Sequence, residues 1–248
     1  KRFHDDRPWY DWPRPLAHRD PEALDSWAAD HREEIERVVF GQFLFFRQWN
    51  AVREAARRTE VAILGDVPIF VALDSADVWA RPELFLLDDD RQPLVVGGAP
   101  PDYFSDTGQL WGNPLYDWDR MAEDDYVWWI ARLRHELTLA DAVRIDHFRG
   151  FAAHWEVPAD HDVATSGRWV PGPGRRFFDA VQEELGGLPL VAEDLGEITP
   201  DVVELRKDLG IPGMAVLQFA FGPGERSLFL PYLLEPDLVV YSGTHDNN

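Results

Sequence analysis

Short apolar runs that stop on a carboxylate recur along this chain. They restrict what it can fold into more than any other feature. The runs at 61–64, 142–146, 189–193, 214–219 and 238–243 read as short buried strands, and four of them lead into Asp66, Asp146, Glu193-Asp194 and His245-Asp246. Between them, Ile35, Val38, Val39, Phe43, Phe46, Trp49 and Val52 recur every three or four positions, which predicts a helix over 31–58. The same spacing links Tyr126, Trp129, Ile130, Leu133 and Leu137, and again Phe177, Phe178, Val181 and Leu185, the latter set stopped by Gly186. Asp20-Pro21 and Thr199-Pro200 are helix starts. Strands alternating with helices predict a parallel α/β sheet, and Phe43, Phe46, Trp49 and Trp129 are expected in its core.

The position of the acids chooses among α/β architectures. A doubly wound nucleotide binder needs a glycine-rich turn with free backbone N–H groups. Pro171-Gly172-Pro173-Gly174 and Gly222-Pro223-Gly224 place proline where those groups are needed, and read as plain turns. Acids at the C-terminal ends of successive parallel strands instead match the active face of a (β/α)8 TIM barrel. Residues two apart on a strand share a face, so Arg144 and Asp146 point to the barrel mouth while Val143 and Ile145 face the covering helices. The guanidinium favours an ionised Asp146, as a glycosidic nucleophile requires. Asp66, taken alone, reads as a cap on the following turn.

Residues 67–120 are rich in Pro, Gly, Asp and aromatics with little periodicity. They are too long for a plain connection and predict a loop-rich, partly helical subdomain inserted after a strand. Tyr103, Phe104, Trp111, Tyr116 and Trp118 alternate there with Asp102, Gln109 and Asn113. Flat rings beside amides and carboxylates make a carbohydrate cleft. The formal charge of −21 works against nucleic acid and anionic membrane surfaces, while neutral sugars are compatible with it. No run approaches the roughly 18 apolar residues of a membrane span. Cysteine is absent, which rules out thiolate zinc and a Cys nucleophile and suits a cytoplasmic location. His154, His161 and Asp162 lack ligand spacing, and Asp88-Asp89-Asp90 lacks the Gly and Glu of a calcium loop. Both groups read as solvated loops, so neither a metal nor a cofactor is called for. No G-x-S-x-G elbow is present.

The segments Gly65-Asp66-Val67-Pro68-Ile69-Phe70-Val71, Gly98-Ala99-Pro100-Pro101-Asp102-Tyr103-Phe104-Ser105 and Thr107-Gly108-Gln109-Leu110-Trp111-Gly112-Asn113-Pro114 resemble the amylomaltase family (4-α-glucanotransferase, disproportionating enzyme) of the α-amylase clan. Ala192-Glu193-Asp194-Leu195-Gly196 and Gly243-Thr244-His245-Asp246-Asn247 match it too, and Val143-Arg144-Ile145-Asp146-His147-Phe148-Arg149-Gly150 is the strongest match. The resemblance implies a (β/α)8 barrel and metal-free retaining transfer between α-1,4-glucans or maltooligosaccharides. It implies Asp146 as nucleophile, Glu193 as general acid/base and Asp246 as transition-state stabiliser. Arg144, His147 and His245 would surround the donor sugar. Asp102, Gln109 and Trp111, with Tyr103 and Phe104, would form the substrate loop. Family chains are longer, so residues 1–248 read as an internal fragment holding about strands three to seven of one catalytic domain, with 67–120 as its inserted substrate-binding part. A hydrolase of the same clan and an inactive glucan-binding fragment are the alternative functions.

Overall fold

The computed structural model describes residues 1–101, 105–196, 198–221 and 229–244. Three strands, β1 (Leu64–Pro68), β4 (Ala142–Asp146) and β7 (Leu190–Ala192), form a parallel sheet in the order β1-β4-β7. A parallel pair, β8 (Gly213–Val216) and β9 (Leu238–Tyr241), follows in chain order. The Ala192 N–H donates to the Pro212 carbonyl at 2.8 Å and joins this pair to β7. These parallel strands succeed one another as the strands of a (β/α)8 barrel do.

Their inward and outward faces follow the two-residue period. Val67, Val143 and Ile145 are buried, in one cluster with Trp129, Leu133, Phe177, Phe178 and Val181. The last five come from α6 (Val127–Leu139) and α7 (Gly174–Leu185), which cover the sheet. Full burial of side chains this large contributes about 1.5–3 kcal/mol each. Gly186 ends α7 in the left-handed conformation, where glycine avoids the Cβ clash. Asp20 accepts the Ala23 N–H and starts α2 (Pro21–Asp30), after the short α1 (Arg14–Ala17).

The long helix α3 (Arg32–Arg58) forms as its spacing predicts, but none of its residues is fully buried. Phe43 is 57% exposed, so its expected place in the core is incorrect; Phe46 and Trp49 are half-buried. Apolar residues run around much of α3, and only part of its circumference meets α6. There the Trp49 indole donates to the Leu139 carbonyl at 2.8 Å, and Arg53 caps the last carbonyls of α6. The run expected as a strand at 61–64 is shifted: Val61 and Leu64 are exposed, and β1 continues through Gly65 to Pro68. Gly65 does not end the strand. A Cβ there would lie 2.9 Å from that of Ala140, so glycine permits the close approach. The expected strand at 214–219 stops at Val216 and turns into a 3-10 helix over Leu217–Phe221.

An antiparallel sheet lies in the connections. Its order is β3-β2-β5-β6, with β2 Val95–Ala99, β3 Gln109–Pro114, β5 Ala153–Pro158 and β6 Arg168–Pro171. The segment after β1 supplies β2, β3 and the short helices α4 (Ala76–Ala80) and α5 (Trp118–Ala122), and the segment after β4 supplies β5 and β6. Helix α8 (Pro200–Asp208) connects β7 to β8.

Gly98 sits where β2 passes close to β3. A Cβ there would stand 2.3 Å from the Gln109 carbonyl oxygen. Gly98→Ala should therefore lower stability by about 1–3 kcal/mol, the usual cost of overpacking. Urea unfolding measures this; an unchanged midpoint would show that β3 moves aside freely.

Candidate active site

The register of β1 on β4 sets Asp66 opposite Arg144 and Pro68 opposite Asp146. Arg144 is buried, and its guanidinium makes a two-pronged contact with Asp66: Nε to Oδ1 at 2.9 Å and Nη2 to Oδ2 at 2.8 Å. The same Nη2 lies 3.1 Å from Asp146 Oδ1. A forked pairing of this kind fixes orientation as well as charge. Burial works to lower the Arg144 pKa, but Asp66 first, then Asp146 and Glu193, outweigh it and hold the pKa above the ordinary value. Asp66 is thus no turn cap; it holds the arginine that faces Asp146. Arg144 and Asp146 share the face that the alternation assigns them.

Glu193 follows the last residue of β7. Its backbone is tied to the end of β4: its N–H donates to the Ile145 carbonyl at 2.9 Å, and its carbonyl accepts from Phe148 at 3.0 Å. Its carboxylate accepts the His147 N–H on Oε2 at 2.8 Å and the Leu195 N–H on Oε1 at 2.9 Å. Burial is the largest influence on its pKa and raises it; the Leu195 and His147 N–H groups oppose this, Asp146 adds to it, and Arg144 opposes it. The result is a carboxyl pushed up to about 7. Asp146 and Glu193 therefore stand in different environments, one beside a clamped guanidinium and the other desolvated. Such a difference separates a nucleophile from an acid.

His147 has a left-handed backbone, with φ at 54°. For a residue with a side chain this costs on the order of 1–3 kcal/mol. The turn carries its N–H to Glu193 and its ring to Trp111, whose centroid is 4.8 Å away at a near-perpendicular angle. The Trp111 indole N–H donates to Gln109 Oε1 at 3.0 Å. Gln109, Trp111 and His147 thus meet beside Glu193. Among the described residues, His147 Nε2 is buried without a hydrogen-bond partner. Burial, then Arg149 and His154, lower the His147 pKa to about 3, so the ring is neutral. Asp102, Tyr103, Phe104, His245 and Asp246 lie outside the described residues.

Several expected positions are corrected. Tyr116 belongs to the core, with its hydroxyl donating to the Ile69 carbonyl at 2.7 Å, and Trp118 packs on Tyr126, Trp129 and Phe177. Neither ring lines a cleft, whereas Trp111 is exposed. His154 is not on a solvated loop but buried in β5. Asp88-Asp89-Asp90 is exposed as read, and Asp88 accepts the N–H groups of Asp90 and Gln92 to close a turn. Sequence reasoning missed Arg149, which is buried with its guanidinium 3.7 Å over the Trp169 ring, and Arg206, buried against Asp194. The signal for Arg206 is its spacing: it stands four residues after buried Val202, on the inward face of α8. Among the described residues no helix is long and apolar enough to cross a membrane.

Comparison with known proteins places this geometry in context. The chain matches the 4-alpha-glucanotransferase family over residues 1–248. It is 55% identical over 240 residues to the chloroplastic/amyloplastic 4-alpha-glucanotransferase of Arabidopsis thaliana, covering 97% of this chain and 42% of that protein. It is 52% identical over 250 residues to the 4-alpha-glucanotransferase of Thermus thermophilus, covering 100% of this chain and 50% of the relative. The amylomaltase from Streptococcus agalactiae in complex with acarbose superposes with a TM-score of 0.95 at 40% identity, over 100% of this chain and 50% of that one. The chain thus spans about half the length of the relatives it matches.

Buried His154 makes acid stability predictable. Burial lowers the His154 pKa to about 4 from 6.5, so folding favours the neutral ring. Its stabilisation is complete above pH 6.5 and is lost as pH falls through about 4. His154→Gln should flatten the fall in unfolding free energy across that window, as measured by urea titrations. An unchanged slope would mean that His154 takes up its proton without opposing the fold.

Proposed function

The chain belongs to the 4-alpha-glucanotransferase family, and from that premise we propose that it carries the reacting carboxyls of a retaining transfer between α-1,4-glucans. One observation carries this reading: Glu193, pushed up to about 7, stands beside a carboxylate clamped by Arg144. In the first step Asp146 attacks the anomeric carbon of the donor, and the bond from that carbon to the leaving 4-oxygen breaks. The Glu193 proton goes to that oxygen. The ester so formed removes the Asp146 charge, one of the influences that hold the Glu193 pKa up. Glu193 then takes the proton of an acceptor 4-hydroxyl, the new glycosidic bond forms, and the ester breaks. Two inversions give net retention.

Asp246 has the part of stabilising the oxocarbenium-like transition state. Arg144, His147 and His245 surround the donor sugar, with the free Nε2 of neutral His147 available to a hydroxyl. Asp102, Tyr103, Phe104, Gln109 and Trp111 form the substrate loop. Residues 67–120 are its substrate-binding part within one catalytic domain spanning 1–248. No metal or cofactor enters this scheme. Maltooligosaccharides are the substrates, in keeping with the acarbose complex of the Streptococcus agalactiae relative. Hydrolysis would use the same acids; the family match supports transfer. A cytoplasmic location is part of the reading, although the Arabidopsis relative is chloroplastic or amyloplastic.

In the full natural protein, Asp146→Asn should lower maltotriose disproportionation by more than about a thousandfold, because an amide cannot form the ester. Binding of maltotriose, followed by calorimetry, should change little. Turnover within tenfold of the parent would remove Asp146 from the nucleophile's role.

The pH profile gives a second expectation. Glu193 acts first as an acid, so kcat/KM, which follows the free enzyme, should fall as pH rises through about 7. Initial rates at low maltotriose across pH 5–9 test this; a kcat/KM that keeps rising past pH 8 would contradict the assignment.

A further inference from the structure

Glu193 is held where the ladder between strands stops. The Ala192 N–H still donates to a backbone carbonyl across the seam to β8, that of Pro212. Along the same seam, the Met214 N–H donates to Asp194 Oδ1 at 2.9 Å, a side chain in place of a main-chain carbonyl. The backbone after β7 is therefore free to bend, and it does. Leu195, two residues past Glu193, turns its N–H back onto the Glu193 carboxylate.

Asp194 is itself ion-paired. Its Oδ2 lies 3.1 Å from Arg206 Nε, a charge contact without hydrogen-bond alignment, and Arg206 is 4% exposed. Arg206 Nη1 reaches the Ile211 carbonyl at 3.2 Å, the Asp237 carbonyl at 3.2 Å and Asp237 Oδ2 at 3.0 Å. One guanidinium thus joins α8, the approach to β8, the approach to β9 and the residue beside Glu193. The space for the carboxylate is shaped for it: a Cβ on Gly213 would lie 2.4 Å from Asp194 Oδ2. Buried ion pairs are poor stabilisers, since well-packed apolar replacements often do as well. A buried pair adjoining the acid is better explained by geometry than by stability.

We propose that Asp194, locked by Arg206, is a positioning residue for Glu193. Its carboxylate stands in for a ladder carbonyl and so lets residues 193–195 curl, then fixes the curl that aims the Glu193 carboxyl. This rests on the reading of Glu193 as the acid/base. Misplacement of a catalytic group by about 1 Å costs on the order of a hundredfold in rate.

The test uses two donors with the full natural protein. Maltotriose needs its leaving oxygen protonated, whereas α-maltosyl fluoride expels fluoride without an acid. Asp194→Asn keeps an acceptor for the Met214 N–H but loses the charge that Arg206 holds. It should lower kcat on maltotriose by about ten- to a hundredfold, with KM within about threefold. First-turnover fluoride release should fall by less than about threefold, since no proton transfer is involved. Arg206→Lys, which keeps the buried charge but loses the fork, should show the same asymmetry in milder form and serves if the first variant fails to fold. Equal losses on both donors, or no loss on either, in whichever variant folds would overturn the proposal. Glu193→Gln is the control. If it too loses both donors equally, the acid/base reading of Glu193 fails, a result separate from any failure of Asp194.

Discussion

Arg144 is a buried cation, and the chain around it is arranged to make that tolerable. Taking a guanidinium out of water is costly unless its hydrogen bonds are satisfied by opposing charge. Asp66 supplies a two-pronged partner from β1, and Asp146 supplies a second from the same strand. Both carboxylates are half-exposed, so water shares in their charge while the guanidinium depends on them. The register of β1 on β4 is what brings Asp66 opposite Arg144, so sheet geometry and site electrostatics depend on each other. A slip of one residue would turn Asp66 to the other face.

Glu193 is under the reverse pressure. Two backbone N–H groups favour its charged form, and burial together with Asp146 disfavours it. The balance leaves a carboxyl near neutrality that a change of one neighbouring charge can tip. The backbone groups that set this balance come from a left-handed His147 and from the bend at Leu195. Local strain and local chemistry are therefore the same feature. Phe148 and Phe151, fully buried directly after the His147 turn, hold that turn against the core.

What the sequence discloses about this arrangement depends on distance along the chain. The alternation of Val143 and Ile145 with Arg144 and Asp146 is a local property, and the strand shows it as read. Helix ends at Asp20 and Gly186 are equally local. The role of Asp66 is not, because its partner is 78 residues away and appears only with the register. Tyr116, Trp118 and Trp111 belong to one aromatic-rich stretch, and composition cannot tell which rings face the core. The spacing in α3 gives a helix, but whether Phe43 is covered depends on what packs beside it. Spacing puts Arg206 on the inward face of α8, but its partners Asp194 and Asp237 appear only with the fold. The local pattern at Arg144 and Asp146 suggests a nucleophile, whereas the parts proposed for Glu193 and Asp246 rest on the resemblance to the amylomaltase family.

On the proposed mechanism Asp146 becomes covalently bound to the sugar. A 5-fluoro-α-glucosyl fluoride, which forms the ester readily and releases it slowly, allows that bond to be caught in the full natural protein. Proteolysis and tandem mass spectrometry then locate the label. One added fluoroglucosyl group per chain is expected, on the peptide that contains β4 and on Asp146 within it. A label on Glu193 or another residue, or an unlabelled protein that continues to turn the reagent over, would contradict it.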